Sequence, residues 1–104
     1  MRKVPGISLN ISKRCSEFEK KVYREVLLIP LGEVRTYKEI ARNIGHPKAY
    51  RAVGQALKKN PYPFIIPCHR VIRSDGYIGG YIYGKRIKKI LIELEKDLRK
   101  ALKM

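Results

Sequence analysis

Pro61, Pro63 and Pro67 divide this chain of 104 residues at a place no helix can cross. Proline lacks a backbone N–H, clashes with the preceding helical turn and drives the residue before it into extended conformation. Asn60-Pro61-Tyr62-Pro63 therefore forms a rigid elbow, which leads through the apolar run Phe64-Ile65-Ile66 into Pro67-Cys68-His69-Arg70-Val71. A thiol set between a proline and a histidine, at the end of a segment apolar enough to be buried, has the placement of a nucleophile. A Cys-His pair alone is weak evidence, since free cysteine is among the most buried residue types.

Before the elbow the chain reads as helices. Residues 1 to 15 alternate, with Ile7, Leu9 and Ile11 on one side of an expected strand. Ser16 with Glu19 forms a capping-box pattern, and Phe18, Val22, Val26 and Ile29 recur at helical spacing, predicting a helix over 17–29. Pro30-Leu31-Gly32 ends it, and Glu33-Val34-Arg35 is an extended link. Thr36 and Glu39 form a second capping box before Tyr37, Ile40, Ala41 and Ile44, with Gly45 as the C-terminal stop. Pro47 suits the first position of a third helix with Ala49, Ala52, Val53, Ala56 and Leu57 on one face. Residues 36–60 thus make a helix-turn-helix candidate, although Ala49, Ala52 and Gly54 are small where a major-groove reader would carry long polar side chains.

After the elbow, Val71-Ile72-Arg73 and Tyr77-Ile78 flank the turn signal Ser74-Asp75-Gly76, which predicts a small β-hairpin. Gly79-Gly80-Tyr81-Ile82-Tyr83-Gly84 is a flexible aromatic loop. A last helix begins near Lys85, with Ile87, Ile90, Leu91, Leu94, Leu98 and Ala101 on its expected buried face and Lys88, Lys89, Lys96 and Lys100 in solvent. The expected fold is mainly α with that hairpin: one winged helix-turn-helix-like domain over residues 1–104, with its motif at 67–71.

The 24 Lys and Arg against 9 Asp and Glu give a formal charge of +15, which favours a polyanionic partner, nucleic acid first. Cys15 and Cys68 are too few for a disulfide framework, and His46 and His69 too scattered for a zinc site, so no metal is expected. No apolar run approaches the roughly 20 residues of a membrane helix. The sequence Met1-Arg2-Lys3-Val4-Pro5-Gly6 lacks the apolar core of a signal peptide, and the expectation is a cytoplasmic protein.

From about Phe18 to Glu95 the chain resembles the O6-alkylguanine-DNA alkyltransferases, on Pro67-Cys68-His69-Arg70, on Asn60-Pro61-Tyr62-Pro63 upstream and on Gly79-Gly80-Tyr81 downstream. The resemblance implies irreversible, stoichiometric transfer of an alkyl group, chiefly methyl, from guanine O6 in double-stranded DNA to Cys68. It implies no cofactor and a monomer that makes no use of a membrane. His69 would activate the thiol through a water, Glu95 would orient the imidazole, Tyr37 would stabilise the leaving guanine and Asn60 would brace the cysteine loop. Backbone groups of Cys68, Val71 and Ile82 would read the base edge, Tyr81 would be the pocket aromatic, and Tyr83 stands near the pocket. Guanine O6 lies within the paired stack, so the nucleotide must be extruded. Arg51 would fill the gap, Ala49, Ala52 and Gly54 would let the helix approach the minor groove beside Tyr50, and Lys48, Lys58 and Lys59 would contact phosphates. Arg70, next to the nucleophile, needs a partner and reads as structural. Without the resemblance, Glu95 is a surface carboxylate, Arg51 a solvent-facing arginine and Tyr37 a core aromatic.

The chain departs from that pattern in three places. Most relatives carry a separate N-terminal domain, whereas about 17 residues precede the first helix here. Tyr50 stands where a small residue is common, and Gly80 and Tyr83 stand where relatives often have asparagine and glycine. Three other readings compete. A non-catalytic alkyltransferase-like lesion binder would lack the cysteine, a helix-turn-helix regulator would leave the Cys68 motif without purpose, and the charge of +15 disfavours a cysteine hydrolase.

Overall fold

The computed structural model describes residues 15–62, 65–75 and 77–103. The strand expected over Ile7, Leu9 and Ile11, together with Pro63, Phe64 and Gly76, lies outside the described residues.

Two local signals set the first helices. At α1 (Glu17–Leu27) the Ser16 hydroxyl accepts from the Glu19 amide at 3.1 Å, and the Glu19 carboxylate accepts from the Ser16 amide at 2.9 Å. At α2 (Tyr37–Asn43) Thr36 and Glu39 repeat the exchange at 3.0 and 2.9 Å. Each box satisfies two amides that the first helical turn leaves without partners. Past α2, Gly45 takes φ +86°, while its amide bonds to Arg42 and that of His46 to Ala41. This is the Schellman closure, for which glycine costs least.

The third helix, α3 (Tyr50–Lys58), starts three residues after the expected position. The Ala49 amide bonds to the His46 carbonyl at 2.9 Å, so Pro47 and Lys48 occupy the middle of a turn with proline at its favoured second position. The buried face of α3 is Val53, Ala56 and Leu57, while Ala52 faces solvent. Those three pack with Val22, Tyr23 and Val26 of α1, with Ile40 and Ala41 of α2, and with Ile66 and Val71. Each valine, leucine or isoleucine among them contributes roughly 1.5–3 kcal/mol on burial. Tyr23 ties α1 to α3, its hydroxyl donating to the Ala56 carbonyl at 2.6 Å.

The expected hairpin is replaced by a parallel pair, β1 (Arg35–Thr36) against β2 (Val71–Ile72), with Arg35 opposite Val71 and Thr36 opposite Ile72. Val71 is fully buried, whereas Tyr77, on the far arm, is 70% exposed and would bring nothing into the core. The loop between them closes locally, through the bond from the Arg73 amide to the Tyr77 carbonyl and through Asp75, which accepts from the Tyr77 amide at 3.2 Å. Such side-chain bonds compete with a strand ladder. The parallel pair sets Thr36, immediately before α2, beside Ile72, immediately after the Cys68 motif.

The last helix, α4 (Lys85–Leu102), begins where expected but presents a different face. Lys88 is fully buried, while Ile87, Ile90, Leu94 and Leu98 are 40–52% exposed and Ala101 is also exposed. Lys88 donates to the Gly80 carbonyl, Glu95 meets His69 and Arg70, and Arg99 meets Glu33 at 2.8 Å. Spacings of seven and four put these three residues on one stripe. The helix therefore docks by its polar stripe. Gly32, at φ +83°, gives room for this, because a Cβ there would lie 2.7 Å from the Arg99 side chain.

Candidate active site

Ile66 and Pro67 lead Cys68 into a single 3-10 turn, Cys68–Arg70, whose cysteine and histidine are both buried. Asn60 braces the approach. Its amide donates to the Ile66 carbonyl at 2.9 Å, and its oxygen accepts from the Tyr62 amide at 2.9 Å. Cys68 opens into a pocket of about 300 Å³ walled by Tyr37, Leu57, Tyr81 and Ile82, with Gly54, Lys58 and Gly80 at its edge. Tyr37 reaches it because β1 pairs with β2, and Gly79 lies close against it, where a Cβ would stand 3.0 Å from the Tyr37 hydroxyl.

Behind the thiol, His69 Nε2 lies 2.8 Å from Glu95 Oε2. A carboxylate only accepts, so Nε2 carries the hydrogen and Nδ1 keeps its lone pair; Nδ1 is buried and has no hydrogen-bond partner among the described residues. Burial pushes His69 below its ordinary value and outweighs the opposing Glu95, so the ring is neutral near pH 7. Burial would raise Glu95, but hydrogen bonds from Arg70 and His69 overcome it and hold the carboxyl below the usual range. Arg70 grips that carboxylate at 2.7 and 3.0 Å and also donates to the Ile29 carbonyl at 2.8 Å, which supplies the partner its position demanded.

The thiol itself is pushed up by burial, against the pull of the Asn60 side chain and the Lys88 charge. Burial likewise raises Tyr37, and it pushes Tyr81 up to about 12, so both phenols stay neutral. The Tyr81 hydroxyl is buried without a partner among the described residues, and its ring stands edge-on to His69, with centroids 6.2 Å apart. A neutral imidazole oriented by a carboxylate, with phenols around a thiol, supplies the groups needed to deprotonate a nucleophile and receive a leaving group that becomes negative.

The remaining candidates lie outside the pocket wall. Val71 is in the core beneath it, and Tyr83 packs edge-on against Tyr81 at 5.6 Å. Lys48, Arg51, Ala52 and Lys59 are exposed on α3 and its flanking turns, with Ala49 and Tyr50 half-buried beside them. Lys59 also sits 3.9 Å from Glu19, and Lys38 lies over the Tyr50 ring. Sequence reasoning missed Lys88, which was placed in solvent. Its only signal was that it falls seven residues before Glu95.

Fold and site together describe a helical domain in which a helix-turn-helix adjoins a buried cysteine pocket. The chain belongs to the family described as 6-O-methylguanine DNA methyltransferase, DNA binding domain, whose pattern matches residues 17–97. It is 50% identical over 95 residues to a methylated-DNA--protein-cysteine methyltransferase of Methanosarcina barkeri, covering 91% of this chain and 60% of that one. It is 47% identical over 89 residues to the Mycobacterium tuberculosis protein of the same name, covering 86% and 54%. The chain thus spans about 60% of the length of the first of these relatives. Among solved structures, Mycobacterium tuberculosis OGT in complex with DNA superposes with a TM-score of 0.79 at 49% identity, covering 81% of this chain and 52% of that one. S. pombe Atl1, in complex with damaged DNA containing O6-carboxymethylguanine, gives 0.68 at 44% identity, covering 79% and 78%.

Proposed function

We propose that this protein repairs O6-alkylguanine in double-stranded DNA by moving the alkyl group onto Cys68 in one irreversible step. The observation that carries this reading is a buried thiol opening into an aromatic pocket, with the Nδ1 of a Glu95-oriented His69, unpartnered among the described residues, behind it. Nδ1 takes the thiol proton through a water. The thiolate attacks the alkyl carbon, the S–C bond forms as the C–O6 bond breaks, and the electron pair passes to the purine. Tyr37 donates toward the charge that develops there. A thioether is not hydrolysed, so each molecule acts once, as a monomer and without a cofactor.

DNA approaches along α3, where Lys48, Lys58 and Lys59 offer phosphate contacts and Ala49, Ala52 and Gly54 leave room for the groove. The target nucleotide rotates out into the pocket and Arg51 takes its place in the stack. Similarity to Atl1 keeps a second reading in view, lesion binding without transfer, against which Cys68 itself argues.

Intact-protein mass spectrometry after incubation with O6-methylguanine duplex tests the proposal. The expected result is one added methyl group per molecule, mapped to Cys68 and absent in Cys68→Ala, which still binds DNA. Repeated turnover, or binding with no mass change, would overturn it.

A further inference from the structure

Lys88 is a buried cation without a carboxylate. Its side chain is fully buried, its Nζ donates to the Gly80 carbonyl at 3.1 Å, and it lies 5.7 Å from the centroid of the Tyr37 ring. Among the described residues no aspartate or glutamate forms an ion pair with it. One carbonyl and one aromatic face replace only part of the hydration that an ammonium loses on burial. An apolar side chain of similar length would fill the same space at lower cost.

The two groups that Lys88 touches, Gly80 and Tyr37, both line the pocket into which Cys68 opens. We propose that Lys88 is a positioning residue that acts through Cys68, its ammonium favouring the thiolate that forms when the thiol gives up its proton and its bond to Gly80 fixing the adjoining pocket wall. This rests on the reading of Cys68 as the alkyl acceptor. The titratable groups around Lys88 are Tyr37 from α2 and Cys68 and His69 from the 3-10 turn; on its own helix, Glu95 is already held by Arg70 and His69. Burial lowers Lys88 to about 8 while the Cys68 charge works against that fall, so the ammonium survives at neutral pH. In the reaction the thiol proton leaves toward His69, the negative charge rests on sulfur within the field of Lys88, and that charge then departs with the purine. Lys88 keeps its proton throughout.

The test is the pH dependence of Cys68 carboxamidomethylation by iodoacetamide, read at the Cys68 peptide by mass spectrometry. Lys88→Met is expected to move the midpoint up by about one unit or more, making the thiol about tenfold less reactive at pH 7. Lys88→Arg should recover most of the reactivity, and Lys88→Gln, which can still donate to Gly80, should behave like Lys88→Met. Wild-type reactivity in Lys88→Gln would mean that only the Gly80 bond matters, and would overturn the proposal. A second measurement needs no variant: the lysine 13Cε resonance of Lys88 in the wild-type protein should titrate at lower pH once Cys68 is methylated with iodomethane, because the sulfur can then carry no negative charge to favour the ammonium. An unchanged midpoint would equally overturn it. If the thiol and lysine titrations behave as stated while the wild-type protein takes no alkyl group from DNA, the coupling stands and the substrate assignment falls.

Discussion

His69 and Glu95 stand 26 positions apart in the chain, on a 3-10 turn and on the last helix, and their side chains meet at 2.8 Å. Arg70, the neighbour of His69, holds the same carboxylate with two hydrogen bonds. One glutamate therefore fixes both the imidazole tautomer and the seating of the turn that carries Cys68.

Glu95→Gln should separate those effects. The amide can still accept from His69, but it leaves Arg70 without its charge partner in a half-buried site, a loss of about 3 kcal/mol in unfolding free energy. Transfer to Cys68 should fall about a hundredfold, because a neutral amide no longer stabilises the imidazolium that forms when His69 takes the proton. Urea denaturation and single-turnover alkyl transfer measure the two. Unchanged transfer in a destabilised protein would make Glu95 structural only.

The neutral state of His69 gives a pH signature. Its folded value lies below the ordinary one of about 6.5, so as pH falls through that range the unfolded chain binds a proton that the native protein does not. Stability is therefore fully present above about pH 6.5 and lost progressively below it. Glu95, held low in the fold, adds a further loss in more acid solution, once unfolded glutamates protonate. Urea midpoints from pH 7.5 to 5 should decline in the wild-type protein and stay flatter in His69→Phe. Parallel curves would show that the histidine is not buried neutral.

How far the sequence foretold this arrangement depended on the range of the interactions. Both capping boxes and the Gly45 closure act over a few residues, and the structure has them where they were expected. α4 was misread because apolar periodicity finds the face a helix can bury, whereas this helix is docked through Lys88, Glu95 and Arg99, whose partners Gly80, His69, Arg70 and Glu33 lie elsewhere in the chain. The hairpin failed for a similar reason. Val71 and Ile72 found a more buried partner in Arg35 and Thr36, which no local turn signal announces. Glu95 was found only through the family resemblance, since its own surroundings read as solvent.

Arg51 lies exposed on α3, clear of the pocket wall. Arg51→Ala should therefore leave transfer from a free O6-alkylated guanine base nearly unchanged. On duplex DNA the extruded nucleotide leaves a gap whose unstacking costs a few kcal/mol, and without the arginine repair should slow about tenfold or more. Rates on the two substrates, each under single-turnover conditions, decide the matter. Equal losses on both would remove Arg51 from the stack-filling role.

Tyr83 is 49% exposed and stands behind Tyr81, their rings edge-on with centroids 5.6 Å apart, while Tyr81 itself forms the pocket wall. A methyl group leaves that wall undisturbed. A benzyl group must displace Tyr81, and Tyr83 resists the movement from outside, so O6-benzylguanine is expected to react poorly. Displacing a reacting carbon by even about 1 Å can cost about a hundredfold in rate. Tyr83→Ala, which keeps the backbone constrained ahead of Gly84, should raise the benzyl rate about tenfold or more and change the methyl rate little. Both rates in both proteins are the measurement. A benzyl-to-methyl ratio that does not move would mean that the Tyr81 wall yields on its own, and that Tyr83 has no part in setting which alkyl groups reach the thiol.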